Sequence, residues 1–246
     1  KSVTSIIYSA GSTNLLQAEL DPAFDLINHI SQLRSFFDAL ICRDLSSLKN
    51  IFFFSSAGAI YGNSQYSSAP KNEKSILSPL SIYGKRNMLL EDIFFHYASK
   101  LNYQYCSVRI SNPFGPTQGK FRRKGLIQAL LSSSLSGSNV DLRGGGLQKR
   151  DYIFSDDFCS IIHSLTELSV LPHRLNVCSG SSLSALEIIS IMNDFSIFPK
   201  ISVSDSQPFY EVSQSILSNE LMLKLLGDNI SPLTTFRNSL PFLVNH

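Results

Sequence analysis

Three short apolar runs, each closing on small or polar residues and each separated from the next by a helical stretch, constrain this chain most. Val3–Tyr8 is β-branched and aromatic and ends at Ser9-Ala10-Gly11. Ile51–Phe54 runs into Ser55-Ser56-Ala57-Gly58, and Gln104–Ile110 runs into Ser111–Phe114. Continuous apolar runs of this length read as strands buried on both faces. Between the first two, Asp21 caps a helix that Pro22 opens. Its apolar positions Phe24, Ile27, Ile30, Leu33, Phe37 and Leu40 recur at helical spacing. Between the second and third, a polar, proline-containing loop from Asn63 to about Pro79 leads into a long helix, Ser81–Lys100. Strand, helix, strand, helix, strand predicts an α/β fold, a doubly wound parallel sheet with covering helices. Ligands of such sheets sit at the carboxyl ends of the strands. Ser9–Gly11, Ser55–Gly58 and Ser111–Phe114 are therefore the candidate site segments.

Beyond Pro116 the texture changes. A Gly-, Lys- and Arg-rich loop (Thr117–Lys124) leads to a helix over Gly125–Leu135, a short strand Val140–Leu142 and the triple glycine Gly144–Gly146. Asp156 and Asp157 precede another helix, Leu175–Val177 is a strand, and Ser184 caps a helix around Leu186–Phe195. Short α and β pieces of this kind suit a smaller substrate-binding lobe.

Composition removes several function classes. A chain of 246 residues that is 43% hydrophobic can bury a large core. A net charge of +2 with 16% charged residues gives no basic field for nucleic acid. Lys120–Lys124 is one short basic cluster, read as a solvated loop or a rim attracting an anionic ligand. No apolar run approaches the length of a membrane span, and the N-terminus has no signal-peptide anatomy. The cysteines, Cys42, Cys106, Cys159 and Cys178, form no CxxC pair, and the five histidines show no ligand spacing. These features argue against a zinc site or other metal and for reduced thiols in a cytoplasmic protein. The triple glycine lacks the GK[ST] ending of a phosphate loop and reads as a turn.

The chemistry concentrates between Ser55 and Asn87. A tyrosine at a helix start, Tyr83, faces a strand end that carries serines. A phenol titrates near pH ~10, so to act as a base it needs a cation and a hydrogen-bond partner nearby.

Five segments resemble, in order and spacing, the motifs of the extended short-chain dehydrogenase/reductase family, the NAD-dependent epimerases and dehydratases. They are SSAGAIYG, SIYGKRN, VRISNPFGP, GGGLQKRDYIFSDD and LNVCSGSSLSALEI. The resemblance implies a Rossmann-like sheet over residues 1–116, the remainder of an NAD-binding domain. It makes 117–246 mainly the substrate lobe, with 173–196 returning to the sheet. The family's glycine-rich turn, which cradles a pyrophosphate at a helix N-terminus, does not occur in these residues. The family layout sets roughly 60–70 residues, about two βαβ steps, ahead of Val3–Gly11.

Site roles follow from the same resemblance. Tyr83 is the catalytic base position, Ser56 its hydrogen-bonding partner, and Asn87 stands where the family has a lysine. Ser9, Ala10, Gly11, Ser55, Tyr83, Asn87 and Pro113 fall at cofactor-binding positions, with NAD as the cofactor. Asn112, Arg150, Ala57 and Leu126 fall at sugar-nucleotide positions, and a guanidinium suits phosphate. Several positions depart from the pattern. Asn87 brings no charge, and Lys85 and Arg86 are rotated from it by about 100–200° around the helix. Ala57 replaces a serine or threonine, His29 replaces an asparagine, and Gln207 replaces an arginine that clamps the diphosphate. Gly58 and Ala59 stand where dehydratases carry an Asp-Glu pair.

The resemblance implies an NAD-dependent 4-epimerase of a nucleoside-diphosphate sugar, serving surface polysaccharide synthesis. Two other readings stand beside it: a non-catalytic relative that binds a sugar nucleotide or a partner subunit, and a dehydratase or reductase. A homodimer through the stripes Phe36/Phe37/Leu40 and Leu89/Leu90/Phe94 is compatible with the family, as is simple core burial.

Overall fold

The three apolar runs become neighbouring strands of one sheet. The computed structural model describes residues 2–11, 13–43, 45–63, 69–116 and 125–244. Its first half runs β1 (Ser5–Tyr8), α1 (Leu15–Leu20), α2 (Pro22–Ile41), β2 (Asn50–Ser56), α3 (Ala57–Ile60), α4 (Ile82–Lys100) and β3 (Gln104–Ile110). Then follow β4 (Asn112–Phe114), α5 (Leu126–Ser136), β5 (Val140–Leu142), β6 (Arg150–Phe154), α6 (Ser155–Thr166) and β7 (Arg174–Val177). The chain closes with β8 (Ser182–Leu183), α7 (Ala185–Asp194), β9 (Ile201–Val203), α8 (Glu220–Leu226) and α9 (Phe236–Val244).

The main sheet has the order β1-β2-β3-β7 and every neighbour pair is parallel. Successive side chains of a strand point to opposite faces, and the core divides accordingly. Ile51 and Phe53 pack with Leu33, Phe37 and Leu40 of α2 and with Leu90, Phe94 and Ala98 of α4. Phe52 packs on the other face with Ile161 and Leu165 of α6 and Met222 and Leu226 of α8. Each such buried side chain contributes roughly 1.5–3 kcal/mol. A smaller region holds β4-β6-β8 and the pair β5-β9 around Phe114, Leu130, Phe154, Ile188 and Leu240.

The helix starts follow the expected chemistry. The Asp21 carboxylate accepts the Phe24 N–H at 3.0 Å, and Ser81 Oγ accepts the Gly84 N–H at 3.0 Å. Ser184 and Glu187 form a reciprocal capping box on α7. The triple glycine is a tight turn in which all three residues have positive φ, 55°, 68° and 69°, a region glycine enters without a Cβ clash.

One expectation is corrected. On α2 the inward positions are Asp25, His29, Leu33, Phe37 and Leu40, whereas Phe24 and Ile27 are 59% and 66% exposed and Ile30 is also at the surface. The first two turns bury a polar pair that meets Arg86 of α4, and apolar periodicity is blind to such a pair. Of the stripes that were compatible with a dimer, Phe37, Leu40, Leu90 and Phe94 are buried within this chain's own core. Thr117–Lys124, with its basic cluster, lies outside the described residues. Among the described residues no helix is long and apolar enough to cross a membrane.

Candidate functional site

Two strand ends open the site. Ser9, Ala10 and Gly11 leave β1 exposed. At the end of β2, Ser55 is buried and its Oγ has no hydrogen-bond partner among the described residues. Ser56 is half-buried and extended (φ −126°, ψ 102°), and its side chain makes no cap bond to α3. Its hydroxyl is therefore not consumed by the helix it precedes, whereas Ala57 is buried in the first turn of α3.

The glycine after Tyr83 has a packing reason. α4 presses so closely on α3 that a Cβ on Gly84 would lie 2.6 Å from the Ala59 carbonyl oxygen. That contact sets how near the start of α4 comes to the end of β2. Tyr83 sits half-buried in the first turn of α4. The preceding N–H, of Ile82, is accepted by the Glu19 carboxylate of α1 at 2.5 Å.

Asn87, one turn on, is turned back onto its own helix: its Nδ2 donates to the Tyr83 carbonyl oxygen at 2.8 Å. Arg86, rotated by about 100° from Asn87 around the helix, reaches the tyrosine from a different side. Its guanidinium carbon lies 4.7 Å from the centroid of the Tyr83 ring. Residues three apart on a helix are neighbours, and the long arginine chain folds back over the ring. Arg86 is 4% exposed, and its Nη1 donates to Asp25 Oδ1 at 2.6 Å and to Thr13 Oγ1 at 2.8 Å. Thr13 also donates to Asp25. His29 completes the group with Nδ1 2.7 Å from the Asp25 carbonyl oxygen, an acceptor that places the ring proton on Nδ1.

Of the four sugar-nucleotide candidates, Asn112, Leu126 and Arg150 share one cavity and Ala57 lies outside it, in α3. A cavity of about 390 Å³ is lined by Asn112, Pro113, Leu126 and Arg150, together with Arg143, Gln148, Tyr152 and Glu211. Asn112 joins β4 to β6 by donating from Nδ2 to the Asp151 carbonyl oxygen at 2.8 Å. Arg150 donates to the Lys149 carbonyl at 3.0 Å and makes a long contact with Gln148 Oε1 at 3.5 Å. No carboxylate is within ion-pair distance of it among the described residues. Burial pushes the Arg150 guanidinium below its usual range, and the nearby Tyr152 and Glu211 only partly oppose that. Burial likewise pushes the Tyr152 phenol up to about 12. The result is a desolvated cation facing a cavity, an arrangement suited to an anion.

The neighbouring Asp151 is fully buried and is not among the residues that line the cavity. Its two carboxylate oxygens accept the N–H groups of Ser179 and Gly180 at 2.9 and 2.8 Å. Burial raises its carboxyl and those bonds lower it, with burial ahead.

The candidates thus fall into two groups. Asn112, Pro113, Leu126 and Arg150 share one cavity. Ser55, Ser56 and Ala57 lie at the β2 end, Tyr83 and Asn87 on the first turns of α4, which Gly84 brings against α3, and Ser9–Gly11 at the end of β1. A Cβ on Gly11 would approach His29 Nε2 at 3.7 Å, which sets the β1 end beside the Asp25, His29 and Arg86 group. Sequence reasoning missed Arg143 and Glu211, which pair loosely at 3.6 Å beside the cavity. It also missed the Asp25–Arg86 pair. The available signal was the charged Asp25 four residues before His29 on a helix otherwise rich in apolar positions.

The model of the NAD dependent epimerase/dehydratase family matches residues 6–178. Over 169 residues the chain is 28% identical to dTDP-4-dehydro-6-deoxyglucose reductase of Escherichia coli, covering 69% of this chain and 52% of that protein. It is 25% identical over 199 residues to a putative UDP-glucose 4-epimerase of Methanocaldococcus jannaschii, covering 78% and 61%. The chain therefore spans between half and two thirds of the length of these curated relatives. Among solved structures, UDP-glucuronic acid 4-epimerase from Bacillus cereus, in complex with UDP-glucuronic acid and NAD, superposes with a TM-score of 0.84. That match has 20% identity and covers 99% of this chain and 74% of that one.

Proposed function

Because this chain belongs to the NAD-dependent epimerase/dehydratase family, we propose that it forms most of an enzyme that inverts a hydroxyl-bearing carbon of a nucleoside-diphosphate sugar, as a UDP-sugar 4-epimerase does. The observation that carries this reading is Arg150, a half-buried guanidinium without a carboxylate partner among the described residues, in a cavity it shares with Asn112 and Leu126. Burying a cation without its counter-ion is unfavourable, and a diphosphate would supply the missing charge. The putative M. jannaschii epimerase and the B. cereus UDP-glucuronic acid 4-epimerase support the same substrate class.

In this reading Tyr83 accepts the proton of the sugar hydroxyl and later returns it, while the Ser56 hydroxyl donates to the same oxygen. Asn112 and Leu126 line the sugar nucleotide and Arg150 holds its phosphate, while Ala57, outside that cavity, stands on the side of Tyr83 where the sugar would extend. NAD, when bound, supplies the hydride acceptor and donor that make the oxidation reversible. Ser9, Ala10, Gly11, Ser55, Tyr83, Asn87 and Pro113 are the residues that would hold it. They fit its nicotinamide side: the β1 end is exposed and the buried Ser55 hydroxyl is unpartnered. Gly58 and Ala59 provide no acid–base pair for dehydration, which favours epimerisation. Residues 1–116 then form part of the cofactor domain and 117–246 mainly the substrate lobe. A cytoplasmic, homodimeric enzyme serving polysaccharide assembly is the setting this chemistry suits.

A second reading, a sugar-nucleotide binder without turnover, draws on Asn87, whose amide is spent on the Tyr83 carbonyl. The two are separated by incubating the full-length protein with UDP-glucose and UDP-N-acetylglucosamine and resolving the 4-epimers. Turnover abolished by Tyr83→Phe is the expected result. Absence of both turnover and bound NAD overturns the enzyme reading, and activity gained only with Asn87→Lys supports the binder.

A further inference from the structure

The family's lysine position is filled by an asparagine that bonds to helix backbone, so position 87 does not orient the Tyr83 phenol. Position 86 contacts it instead. We infer that Arg86 is the positioning residue for Tyr83 in this chain: its guanidinium, pinned by Asp25 and Thr13, holds the phenol ring through a cation–π contact. The inference rests on the reading of Tyr83 as the proton acceptor.

The geometry explains why an arginine does this. A guanidinium is a rigid plane. Its Nη1 is fixed by Asp25 Oδ1 at 2.6 Å and Thr13 Oγ1 at 2.8 Å, and Arg86 and Asp25 are 4% and 0% exposed. With Nη1 so anchored, the guanidinium carbon lies over the Tyr83 ring, 4.7 Å from its centroid, within the range of a cation–π contact. Charge alone is the lesser effect. The Asp25 carboxylate offsets most of the guanidinium's charge, and a neutral pair has a weaker, shorter-ranged field than a lone cation. Orientation remains, and orientation matters because a misplacement of about 1 Å can cost on the order of 100-fold in rate. The anchors also lie on informative elements. Thr13 follows the β1 end that carries Ser9–Gly11, and Asp25 lies on α2. One guanidinium thus ties the tyrosine to the strand end on the proposed cofactor side.

A merely structural ion pair would change stability and leave the ring as it is. The test is therefore spectroscopic as well as kinetic. In the full-length protein labelled with 3-fluorotyrosine, the Tyr83 fluorine resonance is identified by its loss in Tyr83→Phe. Arg86→Lys keeps a cation for Asp25 but removes the planar face, and Asp25→Asn keeps the guanidinium but loosens its anchor. Both are expected to shift the Tyr83 resonance, whereas Arg34→Lys, at an exposed pair with Asp38, leaves it in place. Arg86→Lys is further expected to lower kcat about tenfold or more with KM within about twofold. A Tyr83 resonance that stays put in Arg86→Lys overturns the inference. If the full-length protein turns over no sugar nucleotide, the epimerase reading falls, and the fluorine resonance still decides whether Arg86 holds the ring.

Discussion

Arg109 of β3 and Glu91 of α4 meet inside the protein through a two-pronged ion pair, with Nη2 2.7 Å from Oε2 and Nε 3.1 and 3.2 Å from the two carboxylate oxygens. Both side chains are 1% exposed. Burial alone would push the guanidinium down, and the bonds and charge of Glu91 more than reverse it. The Tyr61 hydroxyl, which accepts from Arg109 at 2.9 Å, contacts Asn176 of β7 at 2.7 Å and extends the network across the sheet. Removing one partner of a buried pair strands the other charge. Glu91→Gln is therefore expected to lower stability by about 3 kcal/mol or more, read as a drop in the urea midpoint at unchanged slope. A loss under about 1 kcal/mol would mean that water or another group reaches Arg109.

Gly84 is the second structural pressure point. A methyl group there meets the Ala59 carbonyl oxygen at 2.6 Å and the Pro79 side chain at 2.8 Å, so α4 must move away from α3. Gly84→Ala should cost about 2 kcal/mol or more, despite alanine's better helix propensity. If Tyr83 is the base, turnover should fall further than stability does. Crystal structures of the variant and the parent, compared at the first turn of α4, would show whether the helix has shifted.

Arg150 and Arg143 both line the cavity, but in different states. Arg143 is 54% exposed and pairs loosely with Glu211 at 3.6 Å, whereas Arg150 is desolvated and lacks a carboxylate. A hydrogen bond to a buried charge is worth about 1.5–3 kcal/mol, an exposed pair about 0–1 kcal/mol. Arg150→Met should weaken UDP binding by about 10–100-fold in a calorimetric titration, and Arg143→Met by less than about fivefold. Equal losses would argue against Arg150 as the phosphate ligand.

The capping box on α7 makes a pH prediction. The Ser184 N–H and Oγ, with a smaller effect of Lys149, hold the Glu187 carboxyl below its ordinary value of 4.5. A carboxyl depressed in the folded state stabilises above its unfolded value, and that stability is lost as pH falls through the folded one. The wild-type protein should thus exceed Glu187→Gln in urea midpoint at pH 6, and the gap should close on acidification below about 4.5. A gap that persists to pH 2 would point to packing instead.

How much of this was legible in the sequence depends on the kind of force involved. Apolar runs and caps located every strand of the main sheet, because burial and helix-end hydrogen bonding are local properties of short segments. Leu175–Val177 was legible as a strand in the same way, within one residue of the observed β7. The inward face of α2 was not. It turns on Asp25 and His29, polar residues that are buried only because Arg86 arrives from a helix some sixty residues later. The reach of Arg86 over Tyr83 was missed for a related reason. Helical angles give the direction of a Cβ, not where a long flexible side chain is pulled by a carboxylate on another element. Arg143 and Glu211, far apart in sequence, became visible only when both came to line one cavity with Gly146.

The strand order has a consequence for the history and handling of this chain. β7, which completes the main sheet beside β3, follows β4, α5, β5 and β6 in sequence, and Asp151 of β6 is bolted to the Ser179 and Gly180 amides just after β7. The two regions are interleaved along the gene. Neither can be cut out, swapped or inherited as a contiguous cassette without opening the edge of β3 or releasing the wall that carries Arg150. Recombination could have exchanged such regions only through matched double crossovers.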